Sequence, residues 1–333
     1  MQNDAQPRGV VVVGSFNVDH VWTLDALPLP GETRAGRYAS GPGGKGFNQA
    51  MAAARSGVPT RFICALGDDS GGQLARVLAV ADDIDLRDAC SDAPTGTAGI
   101  VVDAQGRNAI VVAAGANSAL EAAHVEHSLA AGPAPAVVVA QLETPRDAAM
   151  AAFATVRVSG ALALLNPAPA NVPVDTALLG MVDVLTPNET EFVAMLRSQA
   201  GSVIDAALLP TMAAVELDAL CRLLLPHGTV VVTLGAAGCF ISHAPASPRG
   251  DAQQAYRLPA FPVTAIDTTG AGDAFTGALA ASIARFPASP FRLHARYAGA
   301  FAGLSTESPG AALAMPRFAD VRARFPDLTG PFA

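Results

Sequence analysis

Val10–Val13 is an uninterrupted run of four valines that stops at Gly14. A run without polar residues at alternate positions suits a strand covered on both faces, as strands of a parallel sheet are. Similar short apolar runs recur at Arg61–Ala65, Ala136–Ala140, Ala161–Leu165, Val182–Leu185 and Thr229–Thr233. Alanine-rich stretches of helical character lie between them, among them Asn48–Ser56, Gly72–Val80 and Arg146–Val156. Strand and helix alternating in this way predict an α/β fold, a central and mostly parallel sheet with helices on both faces.

Two regions break the rhythm. Asp19–Ser40 and Thr97–Val112 read as short strands with no helix between them, and Asp103–Arg107 has the composition of a hairpin turn. They predict a small β-sheet projecting from the main domain, placed to act as a lid that keeps water from a reaction. Gln199–Val215 reads as helical padding or a surface insertion, and Ala244–Gln254 as a loop or hairpin tip.

The chain has 333 residues, enough for one large α/β domain with an appendage. Only 15% of them are charged and the mean hydropathy is +0.35, which permits a large core. No apolar run reaches the roughly 18 residues of a membrane helix. Met1–Gly9 lacks the basic start and apolar centre of a signal peptide, so a cytoplasmic enzyme is expected. The net charge of −8 and the lack of basic runs argue against nucleic acid as a partner. Cys64, Cys90, Cys221 and Cys239 are far apart and mostly in apolar stretches, which suits core residues better than disulfides or zinc.

The densest chemistry lies in Ala265-Ile266-Asp267-Thr268-Thr269-Gly270-Ala271-Gly272-Asp273-Ala274-Phe275. A strand over Pro262–Ile266 is expected to enter a glycine-rich turn that opens a helix over Asp273–Ala284. The N–H groups and positive dipole end of such a helix form an anion hole, and small residues at 270–272 let a phosphoryl group approach. A carboxylate there would repel an anion unless it also accepted a proton. The plainer reading makes Asp273 a helix cap.

This string resembles the signature of the ribokinase-like (PfkB) sugar kinases, and the resemblance runs from Val10 to Pro316 in family order. It implies one kinase domain over the whole chain, with the lid inserted from about 19–40 and 97–112. It also implies transfer of the γ-phosphoryl group of ATP to a sugar hydroxyl. Asp273 would be the base, and the amides of Gly270, Ala271 and Gly272 would stabilise the transferring group.

Gly41-Pro42-Gly43-Gly44-Lys45-Gly46-Phe47-Asn48-Gln49-Ala50 resembles the second family signature. Its glycines fit a dinucleotide fingerprint, but no buried strand immediately precedes them, and Gly46 stands where a Walker loop needs Ser or Thr. The resemblance instead implies sugar contacts from Gly43, Gly44, Lys45 and Asn48. It implies further sugar contacts from Asn17 and Asp19, which follow the first strand, and from Glu143 in Gln141-Leu142-Glu143. An Asx turn and an ordinary loop glutamate are the plainer readings of these last two.

On the nucleotide side, Asn188-Glu189-Thr190-Glu191 resembles the family element in which Asn188 reaches phosphate and Glu191 acts on Mg2+ through water. A helix start explains the same residues. Thr233-Leu234-Gly235-Ala236-Ala237-Gly238 resembles the turn that meets ATP, through Thr233, Gly235 and Gly238, with Gly272 contributing from the anion hole. Asp267 and Thr269, with carbonyls of Ser305, Ser308 and Gly310, resemble a monovalent cation site, implying K+. The chain departs from many relatives at Glu307-Ser308, at Ala314 and at Gly299.

The resemblance implies D-ribose as acceptor, giving D-ribose 5-phosphate, and a homodimer in which two lids pack together. A kinase for a nucleoside, fructose or a keto-deoxy acid is the alternative; Trp22 in the lid could stack on a base. A non-catalytic sugar-binding protein would be expected to lack Asp273 or the glycines beside it. A nicotinamide dehydrogenase is disfavoured by the misplaced glycines.

Overall fold

The computed structural model describes residues 8–245 and 250–328. The reading of the N-terminus falls largely outside the described residues, as do residues 246–249 of the expected loop. The strands are β1 (Val10–Val13), β2 (Asn17–Thr23), β3 (Arg37–Gly43), β4 (Thr60–Gly67), β5 (Ile84–Ser91), β6 (Gly96–Val102) and β7 (Asn108–Ala113). They continue with β8 (Val137–Ala140), β9 (Leu162–Leu165), β10 (Val184–Leu185), β11 (Thr229–Thr233), β12 (Cys239–His243) and β13 (Ala255–Leu258).

The large sheet runs β13-β12-β11-β10-β9-β8-β1-β4-β5. It is parallel from β11 to β5, and β12 and β13 add an antiparallel edge. The four valines show why such strands carry no polar face. Val10 and Val12 enter one core, under the helices Lys45–Arg55, Ala271–Arg285 and Phe291–Ser305, while Val11 and Val13 enter the other. The α/β expectation is met on both faces.

The two irregular regions form a separate sheet, β3-β2-β6-β7. Its strands extend slightly beyond the expected bounds. At the hairpin β6–β7, Asp103 N donates to the Arg107 carbonyl at 2.9 Å, and Gly106 turns the chain with φ 75°. Residues of a register row share a side, so Ala39, Val21, Ile100 and Ile110 form one apolar line across all four strands.

Two expectations are corrected. Pro262–Ile266 is not a strand: Ile266 N and Asp267 N both donate to the Thr306 carbonyl, at 2.7 and 3.1 Å, instead of to a neighbouring strand. Gly41 and Gly43 end β3, a largely exposed strand that enters the Lys45 helix through Gly44 alone. Asn17 and Asp19 lie within β2, in the small sheet, and not on the end of β1.

The Gln199–Val215 segment is part helix, part 3-10 turn and part loop, clamped by Arg257, whose guanidinium donates to the carbonyls of Leu209 and Met212. The described residues between β12 and β13 form the expected hairpin connection. Cys64, Cys221 and Cys239 are buried, Cys90 is exposed, and all four are free thiols. Among the described residues no helix is long and apolar enough to cross a membrane.

Candidate active site

The cleft lies at the C-terminal ends of the parallel strands, where open α/β sheets leave room for ligands. It has a volume of about 200 Å³ and is walled by Lys45, Asn166, Thr186, Asn188, Glu191, Thr233, Thr268 and Gly270–Asp273.

Gly270 opens the Asp273 helix in the left-handed region, φ 74°, and a Cβ there would sit 3.0 Å from the Ala311 Cβ. The helix begins at Ala271, earlier than expected, which puts Asp273 in its first turn and makes Gly270 the cap. The capping reading of Asp273 is therefore overturned. Its Oδ2 accepts from Asn48 Nδ2 at 2.9 Å and its Oδ1 from Gln49 Nε2 at 2.8 Å, and it is 6% exposed. These neighbours arrive because the two helices cross closely: a Cβ on Gly277 would meet the Gln49 carbonyl oxygen at 2.3 Å.

Burial pushes the Asp273 carboxyl above its ordinary range, while Lys45 and the amides of Asn48 and Gln49 pull it back. Burial also depresses the Lys45 ammonium, but Asp273, Glu143 and Glu191 outweigh that and raise it. The site thus keeps a cation beside a carboxylate that water reaches poorly. Ala271 N already donates to the Thr268 carbonyl at 3.2 Å. The N–H groups of Gly272 and Asp273 have no acceptor within the helix, being in its first turn. A Cβ on Gly272 would meet nothing within 4 Å, so the backbone there is open to a ligand.

The small sheet brings Asn17 and Asp19 toward the same cleft. Asn17 is 4% exposed and its Oδ1 accepts from Asn117 Nδ2 at 2.8 Å. Asn117 also exchanges hydrogen bonds with both backbone groups of Phe16, so it locks the entry to β2. Burial, then Glu143 and Asp273, push the Asp19 carboxyl up to about 6. Glu143 Oε2 accepts from Ser15 Oγ at 2.6 Å and Lys45 N at 3.0 Å, which ties it to the start of the Lys45 helix. Gly44 has φ 88° and its missing Cβ would fall 2.8 Å from Asn17 N. Trp22 differs by an odd number of residues from Asp19 and so occupies the opposite face of β2, packed at 5.3 Å on Tyr38. That placement removes the reason for a base-stacking role.

Across the cleft, Asn188 caps the helix Glu189–Ala200 in a reciprocal box with Glu191. Both Glu191 oxygens accept from Asn188, at 2.9 Å from its N–H and 3.0 Å from its Nδ2. The helix-start reading is correct, and it leaves Glu191 buried, fixed and facing the cleft. With both oxygens so engaged, the carboxylate fits a metal ion held through water better than one bound directly. Thr233 lines the cleft, and its N–H donates to the Pro187 carbonyl at 2.9 Å. Gly235 and Gly238, φ 50° and 88°, shape the turn that follows, outside the cleft wall.

Asp267 accepts from Thr269 N at 2.9 Å, from Thr269 Oγ1 at 2.6 Å and from Gly310 N at 2.9 Å. The structure therefore joins three of the expected cation-site residues. Ser308 N reaches the Ser305 carbonyl at 3.4 Å in the same turn. Oδ2 of Asp267 retains acceptor capacity beyond the bond from Gly310 N.

Four buried polar residues, Gln49, Gln141, Asn166 and Thr186, carry no role that the motifs assign. Asn166 and Thr186 directly follow β9 and β10, and Gln141 follows β8, so a polar residue closing an apolar parallel strand was the available signal.

Comparison with known proteins matches residues 7–317 to the pfkB family carbohydrate kinase model. The bifunctional ribokinase/ribose-5-phosphate isomerase A of Fructilactobacillus sanfranciscensis is 36% identical over 315 residues, 93% of this chain. The chain spans about half, 54%, of that longer protein. Ribokinase of Haemophilus influenzae is 34% identical over 93% of this chain and 95% of its own length. The solved structure of Arabidopsis thaliana ribokinase complexed with ribose and ATP superposes with a TM-score of 0.76 at 27% identity, over 96% of this chain and 98% of that one. Fold and cleft together define an ATP-dependent sugar kinase. The chain belongs to the pfkB family of carbohydrate kinases.

Proposed function

We propose that the chain transfers the γ-phosphoryl group of ATP to the hydroxymethyl group of D-ribose, giving D-ribose 5-phosphate. The observation that carries this reading is the buried Asp273 carboxylate, held from two sides in the first turn of a glycine-led helix. In this reading Asp273 takes the proton of the sugar hydroxyl as its oxygen attacks phosphorus in line. The first-turn N–H groups at Gly272 and Asp273 and the Lys45 ammonium receive charge on the transferring group. Asn17, Asp19, Gly43, Gly44, Asn48 and Glu143 surround the sugar; Asn188, Thr233, Gly235 and Gly238 serve the nucleotide. Mg2+, held through water at Glu191, supplies charge neutralisation on the phosphates. K+ beside Asp267 would steady the anion-hole turn.

The choice of ribose is supported by relatives named ribokinase, and by one whose name joins that activity to ribose-5-phosphate isomerase. The small sheet is read as a lid, and its exposed apolar row as the contact between two copies in a homodimer.

The test is coupled ADP release with Mg-ATP over a panel of sugars and nucleosides. Ribose-dependent turnover should fall about a thousandfold in Asp273→Asn, within the usual range for a lost general base, while ribose still binds. Turnover on another acceptor, lost in the same variant, would replace ribose and keep the chemistry. ATP binding without turnover on any acceptor would overturn the catalytic reading.

A further inference from the structure

We propose that Gln49 is a positioning residue for the reaction: its amide aims the Asp273 carboxylate and keeps it ionised. The inference rests on the reading of Asp273 as proton acceptor, and it gives a role to a side chain 0% exposed that no sugar or nucleotide can reach directly.

The direction of the amide follows from one fixed acceptor. The Thr186 carbonyl oxygen can only accept, so the group facing it at 2.9 Å must be Asn166 Nδ2. That turns Asn166 Oδ1 toward Gln49, where Nε2 donates to it at 3.1 Å. The same Nε2 has a second hydrogen, which goes to Asp273 Oδ1 at 2.8 Å. Gln49 Oε1 then faces away and accepts from Gln141 Nε2 at 2.6 Å. Every link is buried, and a flip of Gln49 would set an oxygen against the carboxylate and an amine against another amine. Gln141 in turn fits because residue 14 is glycine; a Cβ there would lie 2.0 Å from Gln141 Oε1.

The strand ends thus reach Asp273 through Gln49, whereas Asn48 holds the other oxygen from the substrate side. A donor to the carboxylate favours its charged form, opposing the effect of burial. The ionisable groups around Asp273 are Lys45 on the same helix as Gln49, Glu143 after β8, Asp19 on β2 and Glu191 across the cleft. Only Lys45 among them helps keep the base charged. Loss of the Gln49 donor should therefore move the acid limb of kcat to higher pH.

The experiment compares wild type, Gln49→Leu, Gln141→Met and Asp273→Asn by kcat and KM across pH, on the best acceptor of the panel. For Gln49→Leu, kcat should fall on the order of 10- to 100-fold from misplacement of the base. Its acid limb should rise by about one pH unit, with the sugar KM within about threefold. A residue that only supported the fold would lower active protein without moving the limb. Gln141→Met removes one hydrogen bond behind Gln49 together with a buried carbonyl that lacks a partner, so it perturbs the fold least. It should shift the limb in the same direction by a smaller amount, and it decides the matter if Gln49→Leu does not fold. A wild-type limb and kcat in either folded variant, with Asp273→Asn inactive, would overturn the role of Gln49 alone. Wild-type turnover in Asp273→Asn would overturn the base assignment and this inference with it.

Discussion

The carboxylate of Asp19 lies flat against the backbone of Gly43, where a Cβ would fall 2.1 Å from its Oδ2 and 2.4 Å from its Cγ. The two residues sit on paired strands of the small sheet, so the glycine is the space that the carboxylate occupies. Gly43→Ala should displace Asp19 and raise the sugar KM about tenfold or more, as expected for one misplaced polar contact. The ATP KM should stay near wild type. Steady-state kinetics with each substrate varied in turn check this, and an unchanged sugar KM would separate Asp19 from sugar binding.

Asp19 also sets a pH dependence. Its carboxyl is pushed up to about 6 from an ordinary 3.8, so the folded protein favours the protonated form. Stability from this group is fully present below the unfolded value and is lost as pH rises through about 6. Asp19→Asn should therefore melt higher than wild type at pH 8 without ligand, and the gain should vanish near pH 4. Under the proposed function sugar binding needs the opposite form, in which both oxygens are free to accept from hydroxyls. The sugar KM of the wild type should then rise as pH falls below about 6, and a KM flat from pH 5 to 8 would contradict the assignment.

Gly272 offers a test in which stability and activity part company. It occupies the first turn of its helix, without a positive φ, and has open space where a side chain would stand. Gly272→Ala should stabilise the fold by about 0.5 kcal/mol through lower chain entropy when unfolded. The added methyl would stand where a phosphoryl group is read to approach, so kcat should fall about tenfold or more. Thermal melting and initial rates on one preparation check both signs together.

The assembly prediction concerns Ile110, which ends the four-strand apolar row and is 53% exposed. If two copies bury this row against each other, Ile110→Asp should shift sedimentation from dimer to monomer. Wild type that is monomeric at every concentration would remove the dimer from the functional account.

How much of this the sequence carried differs between elements. Val10–Val13 declared its environment because neither alternate position holds a polar group, and the fold class followed. Asp273 stands out as a candidate through the glycines around it. Its cap reading failed because the deciding contacts come from Asn48 and Gln49, more than 200 residues earlier, and no local pattern encodes a bond of that span. Pro262–Ile266 misled for a related reason: Thr264 N donates to the Glu307 carboxylate and Ile266 N to the Thr306 carbonyl, where a strand would have used a ladder. At Asn188 and Glu191 the local reading holds, and the cap itself fixes the carboxylate that faces the cleft, where the proposed function places the metal.

Gly44 is the whole connection between β3 and the helix that carries Lys45, Asn48 and Gln49. One residue inserted at that joint would either slip the strand and turn its side chains to the other face, or rotate the helix by about 100°. Either outcome withdraws both amides from Asp273 or tears the sugar side away from them. The joint therefore has a fixed length, and variants with a new acceptor preference must arise there by exchange of side chains. Within the small sheet, changes of length have room at the far ends, in residues 24–36 and in the turn 103–107.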